Sequence, residues 1–308
     1  MTTLQAFAHD IEVANSDGKT IYYKFFYGGE DVELHVIYRG TARKDYPDRY
    51  SGDLVIPSSV TYEGKTYPVT GIAESAFFGC KDLTSLTLPE GLTIIYSYAF
   101  SGCMGLTSIT IPASVSKVYN AIFEESYNLA SIKVEDGNTE YDSRNNCNAI
   151  IHTATNELIA ACKNTVIPNT VQVISNGAFQ NCESITSLTI PASVSFIKGW
   201  AFNGLDALKD LYCFAENVPK TESSAFGYTP IGKATLHVPA ASVDAYKAAE
   251  PWSGFGNIVV LTEEETTVHA LEMKKSSDKY YTLDGRSISG HPIQKGVYII
   301  NGTKVVIK

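Results

Sequence analysis

No stretch of the 308-residue chain runs to eighteen apolar residues, so no segment reads as a membrane-spanning helix. His-Glu-x-x-His, Cys-x-x-Cys, Gly-x-Ser-x-Gly and phosphate-loop patterns are all missing. The six histidines (9, 35, 152, 237, 269 and 291) fall at no metal-ligand spacing, and a zinc site needs three or four converging ligands. Asp136-Gly137-Asn138-Thr139-Glu140 puts Tyr141 where a calcium loop needs its sixth-position glycine, so it reads as a polar loop. No catalytic residue, metal or cofactor is expected. Lys and Arg number 24 against 33 Asp and Glu, a formal charge of −9. Such a surface repels phosphate backbones and argues against nucleic acid as partner. Tryptophan is scarce, at 2 residues, while tyrosine reaches 19. Tyrosine favours strands, and it also favours wet interfaces. The opening residues, Met1 to Asp10, have neither a basic stretch nor an apolar core, which leaves a cytosolic protein or one whose leader has been removed.

What is present is a repeat. Phe77, Phe100 and Phe123 recur every 23 residues, and Phe179 and Phe202 keep the interval. Eight residues before each stands an aliphatic residue (Val69, Leu92, Val115, Val171, Val194), and five before stands another (Ile72, Ile95, Val118, Ile174, Ile197). Cys80, Cys103 and Cys182 follow the Phe by three. A Leu-x-x-Leu-x-Leu-Pro pattern comes next, as in Leu83, Leu86, Leu88 and Pro89. Alternating apolar positions predict a short strand with one face buried, ended by a proline that has no N–H for the ladder. A 23-residue unit cannot bury its own apolar face, but stacked copies fuse their columns into one core.

This unit resembles the BspA-type leucine-rich repeat of secreted and surface proteins, over about residues 53 to 260. The resemblance implies a right-handed, β-rich α/β repeat solenoid of about seven coils, about 23 residues each. It also implies a non-enzymatic surface or secreted protein of Bacteroidetes type, with any leader removed. Adhesion to host or matrix macromolecules is the implied role. Glycan capture and a purely structural spacer are the alternatives. An aromatic platform flanked by carboxylates would favour glycans, and a flat Ser/Thr face would favour adhesion. A monomer is expected.

Boundaries follow from where the repeat stops. Residues 1–52 read as an N-terminal β cap, 53–261 as the solenoid, 262–278 as an acidic aperiodic linker, and 279–308 as a small β module. That last module resembles the secretion and sorting tails of exported Bacteroidetes proteins. Asp17-Gly18, Gly28-Gly29, Asp284-Gly285 and Asn301-Gly302 are hairpin signals. The interval from Phe123 to Phe179 is enlarged and reads as an insertion, of the kind that maps to a loop on one face. Cys147 and Cys162 lie in it and form the candidate disulfide pair if the chain is exported.

Candidate binding residues are the aromatics that the repeat does not demand: Tyr96, Tyr98, Tyr119 and Trp200, with Tyr127 and Tyr141 in or near the insertion. Tyr96 and Tyr119 share one column, a coil apart. They read either as a stabilising ladder or as a recognition surface. Ser85, Thr87, Ser108 and Thr110 should point outward from the strands and offer few anchors.

Overall fold

The computed structural model describes residues 8–15, 17–28, 31–40, 49–267, 280–283, 287–288, 296–300 and 303–307. The chain forms a β-solenoid of about 8 turns with ~23-residue spacing, close to the seven coils expected. Each regular coil contributes one strand from the Leu-x-Leu segment and a second, two-residue strand centred on the aliphatic column. Thus Ser108–Ile111 pairs in parallel with Ser131–Val134, with Ile109 opposite Ile132. Ser187–Ile190 pairs likewise with Asp210–Cys213, and Leu188 faces Leu211. Alternation sends the apolar residues inward and leaves Ser85, Thr87, Ser108 and Thr110 exposed.

The Phe column is continuous within each half of the stack. Phe77 and Phe100 stack at 5.6 Å between ring centroids, as do Phe100 and Phe123, and Phe179 lies 5.5 Å from Phe202. All but Phe123 in this set are fully buried.

Both ends of the stack are closed by structure outside the repeat. Ile11–Ala14, Thr20–Gly28 and Asp31–Ile37 form an antiparallel meander, whose last strand pairs in parallel with Lys65–Ile72. At the far end the helix Val243–Ala248 and the turn Trp252–Gly254 bring buried Tyr246 and Trp252 over the final coil. Tyr246 donates to the Ala215 carbonyl at 2.9 Å, and the Trp252 indole donates to Thr221 Oγ1 at 3.0 Å. These rings cover the apolar edge that would otherwise face water. Tyr280–Tyr281, Ser287–Ile288, Gly296–Ile300 and Thr303–Ile307 form a four-stranded antiparallel sheet. Ile300 pairs with Thr303, so the last two strands make a hairpin whose Asn301-Gly302 turn lies outside the described residues, as does Asp284-Gly285.

One expectation needs correction. The insertion is not an exposed loop. Ala149–His152 and Glu157–Ala161 pair as an antiparallel hairpin that is almost wholly buried. Its side chains divide between two cores: Ile150, Ile159 and Ala160 pack with the first half of the stack, and Ala149, Ile151, Leu158 and Ala161 with the second. A strand buried on both faces needs apolar residues at both parities, and this hairpin has them. The segment read as a linker is described only as far as Thr267. Residues 263–267 are helical, and Thr262 and Glu265 cap each other: Glu265 N donates to Thr262 Oγ1 at 3.1 Å, and Thr262 N to Glu265 Oε2 at 2.7 Å. Residues 268–278 lie outside the described residues.

Candidate functional site

The chain makes its Phe turns with two backbone positions in the left-handed region. Two residues before the Phe stand Ser75, Tyr98, Ala121, Gly177 and Trp200, with φ of 58, 58, 54, 64 and 59°. Two residues after it stand Gly79, Gly102, Glu125, Asn181, Gly204 and Tyr228, with φ of 65, 70, 58, 56, 66 and 56°. Glycine takes this conformation freely, whereas a residue with a Cβ pays about 1 kcal/mol. Small residues and asparagine therefore suit the fold, and bulky aromatics at Tyr98, Trp200 and Tyr228 work against it.

Those three aromatics share a groove of about 460 Å³ on the flank of the stack. Trp200 is 40% exposed and Tyr228 85% exposed, and their rings stack 6.2 Å apart at 24°. Gly227 makes this packing possible, since a Cβ there would lie 2.8 Å from the Trp200 ring. Around the rings stand the carboxylates of Glu124, Glu183 and Asp206 and the amides of Asn176, Gln180, Asn181 and Asn203. Among the described residues, no lysine or arginine lines the groove.

The floor is a polar relay across coils. Gln180 Nε2 donates to Glu124 Oε1, and Asn181 Nδ2 reaches the same oxygen at 3.4 Å. Asn203 Nδ2 donates to Asn181 Oδ1 at 3.3 Å. Asn203 is 5% exposed, and among the described residues no group donates to its Oδ1. Tyr127 adjoins the same cluster. Burial first, and then a hydrogen bond to Glu183, push its hydroxyl pKa well above the ordinary value.

The structure thus splits the sequence-derived candidates. Tyr98 and Trp200 line the groove, and Tyr127 touches its acidic side. Tyr96 and Tyr119 lie elsewhere, stacked at 5.1 Å and 10°. Their column continues through His35, 5.8 Å from Tyr96, to Phe26, which stacks on His35 at 3.8 Å. Lys117 caps the outer end, 5.0 Å over the Tyr119 ring. A hollow of about 510 Å³ beside Phe26, Tyr38 and Tyr96 borders this ladder, but Phe26 and Tyr96 are already engaged with neighbouring rings. Tyr141 is buried, and its hydroxyl accepts the Val118 N–H at 3.0 Å, so it offers no surface. Tyr228 and the acidic and amide residues of the groove escaped the sequence reading. The signal that could have found Tyr228 is its column, where Gly79, Gly102 and Gly204 mark the left-handed position.

Cys147 and Cys162, the candidate disulfide pair, are not bonded to each other in this structure. Cys147 packs in the second core and Cys162 in the first, and the Cys162 thiol donates to the Asn148 carbonyl at 3.4 Å. Burial pushes the Cys147 thiol up to about 12. Asn138, in the segment weighed as a calcium loop, instead pins neighbouring backbone: its Nδ2 donates to Val115 O at 2.8 Å, and its Oδ1 accepts from Tyr141 N at 2.8 Å. Among the described residues no cluster of three or more His, Cys, Asp or Glu is placed to hold a metal ion, and no helix is long and apolar enough to cross a membrane.

Parallel strands repeating every coil around a stacked Phe column define a leucine-rich-repeat solenoid. The chain belongs to the BspA type leucine rich repeat region family, whose profile matches in 6 copies over residues 66–158 and 156–246. Similar solved structures include the pneumococcal vaccine antigen PcpA, at 14% identity and TM-score 0.38, covering 82% of this chain and 99% of that one. A leucine rich cell surface protein from Faecalibacterium prausnitzii A2-165 aligns at 13% identity and TM-score 0.33, covering 84% and 97%. The T. pallidum leucine rich repeat protein aligns at 17% identity and TM-score 0.36, covering 82% and 92%. No curated protein sequence matches the chain.

Proposed function

We propose that this chain is a non-enzymatic surface or secreted recognition protein, and that it binds a macromolecular ligand along the Tyr98–Trp200–Tyr228 groove. Membership of a repeat family built around extended surfaces supports a binding role in the broad sense. The observation that carries the location is the stacked, exposed Trp200–Tyr228 pair at backbone positions where the repeat prefers small residues. Exposed aromatics give large contact area at low entropic cost. The Ser/Thr strand face offers no comparable anchor. The solenoid (53–261) acts in this reading as the binding unit and the 279–308 sheet as a separate module.

A paired screen of the folded chain against glycan and matrix-protein panels tests the reading, with Trp200→Ala/Tyr228→Ala run alongside. Hits lost in the double variant, with an unchanged melt, support it. Hits that survive in the variant move the binding surface elsewhere, and a blank in both panels leaves the spacer role.

A further inference from the structure

Resting on that reading, we infer that the groove docks an arginine-bearing segment of a partner protein, whose guanidinium groups stack on Trp200 and Tyr228 and pair with Glu183 and Asp206.

The rings set the first requirement. Elsewhere the chain covers its half-exposed rings with its own cations. Lys65 lies 5.1 Å over Tyr67, Lys117 5.0 Å over Tyr119, and Lys220 5.3 Å over Phe196. Trp200 and Tyr228 are more exposed than these, yet among the described residues no lysine or arginine stands over either. A cation from outside fits that platform as Lys117 fits Tyr119.

The charges set the second. Glu183 and Asp206 are exposed, line the groove and stand 23 residues apart, so the repeat puts them in one column on neighbouring coils. Like charges so placed repel one another. Among the described residues neither has an ion-pair partner, and nor does Glu125. Tyr127 feels all three. After burial and its hydrogen bond to Glu183, the charges of Glu125, Glu183 and Asp206 push its hydroxyl further up. A neutral sugar ring would stack on the platform equally well, but covering it would take these charges out of water unmatched. An anionic ligand would be repelled.

Guanidinium meets both requirements. Its plane lies on an aromatic face, and its fork of N–H groups binds carboxylates in pairs. A lysine ammonium is a hydrated point charge and does the first less well. The contact points occupy three successive coils: Glu183 in that of Phe179, Trp200 and Asp206 in that of Phe202, and Tyr228 in that of Phe226. Three coils span about 10 Å at strand spacing, which an extended segment of roughly three residues covers and one side chain does not.

The test uses the full chain and a peptide of three Gly-Ser-Arg triplets. Its counterparts carry lysine or citrulline, which keeps the shape of arginine without the charge. Cellohexaose is the neutral-sugar probe. The arginine peptide should bind with a Kd below about 1 mM at low salt, weaken as salt rises, and shift the emission of Trp200, since the other tryptophan, Trp252, is buried. The lysine peptide should bind more weakly, and the citrulline peptide should not bind. By calorimetry, Trp200→Ala/Tyr228→Ala and Glu183→Gln/Asp206→Asn should each weaken arginine-peptide binding about tenfold or more. Glu263→Gln/Glu264→Gln removes as much charge outside the groove and should leave it unchanged. Melts establish that each variant is folded. Lysine or citrulline binding equal to arginine, an equal loss in the Glu263/Glu264 variant, binding intact in the groove variants, or no peptide binding overturns the inference. Cellohexaose binding that is lost in Trp200→Ala/Tyr228→Ala, with the peptides silent, overturns the arginine assignment and leaves the groove as the recognition surface. Silence of every probe overturns the inference, and the recognition reading then rests on the glycan and matrix-protein panels.

Discussion

The Tyr141 hydroxyl accepts the Val118 backbone N–H across 3.0 Å, inside the protein. Val118 belongs to the last short strand of the first half of the stack, Lys117–Val118, and Tyr141 opens the sheet of the second. A side chain thereby completes the ladder where the backbone repeat is interrupted. Tyr141→Phe keeps the ring and leaves the Val118 N–H buried without a partner. The expected cost is about 1–3 kcal/mol, read as a lower urea midpoint. An unchanged midpoint would show that water replaces the hydroxyl.

Phe100 stacks between Phe77 and Phe123 and is fully buried. Phe100→Ala should cost about 3–5 kcal/mol. Coils rely on their neighbours, so hydrogen exchange should quicken in the flanking coils as well. A melt within a degree or two of the parent would contradict this packing.

Tyr96 and Tyr119 form a stack capped by Lys117, with His35 and Phe26 beneath. Removing both rings, in Tyr96→Ala/Tyr119→Ala, should lower stability by about 1–2 kcal/mol, since aromatic pairs add roughly 0.5–1.5 kcal/mol beyond area burial. Ligand binding at the groove should persist. Binding lost with an unchanged melt would reassign these rings to recognition.

How much of this could be read from the sequence depends on the periodicity each residue obeys. The Phe column, the aliphatic pairs and the strand ends stand in a fixed 23-residue frame, and each found its place. The columns at Tyr96 and Tyr119 were legible for the same reason. Trp200 was visible as an aromatic the repeat did not need, but its face was not. That depends on which turn positions are left-handed, a property of backbone dihedrals that shows in sequence only as a scatter of Gly, Asn, Ser and Ala. The acidic residues of the groove come from different coils, and only the stacking brings Glu124 beside Gln180, 56 positions on. Length alone reads the insertion as a loop, but its composition says otherwise. Ala149-Ile150-Ile151 and Leu158-Ile159-Ala160-Ala161, apolar at odd and even positions alike, describe a strand pair with no wet side.

His35 offers a pH test. Burial, opposed by Glu33, holds it down to about 4, from 6.5 in the unfolded chain. Between those values the unfolded chain takes up a proton that the folded one refuses, so stability rises with pH across that window. The contribution is complete above pH 6.5, declines as pH falls towards 4, and is absent below. Its full size is roughly 3 kcal/mol. His35→Phe should keep the stack on Phe26 and flatten the stability profile from pH 6.5 to 4 relative to the parent. Identical slopes for the two proteins would place the acid sensitivity in other groups.

The buried hairpin at 149–161 also sets how the molecule answers to load. Side chains of one strand pair are shared between two cores, so the two halves of the stack meet at a partition with no Phe crossing it. Tension along the axis loads this partition, and stepwise extension is expected to begin there. The groove straddles it, with Tyr98 and Glu124 before the partition and Trp200 and Tyr228 after it. A macromolecular ligand lying in the groove would touch both halves at once, and the bound protein should extend at a higher force than the free one.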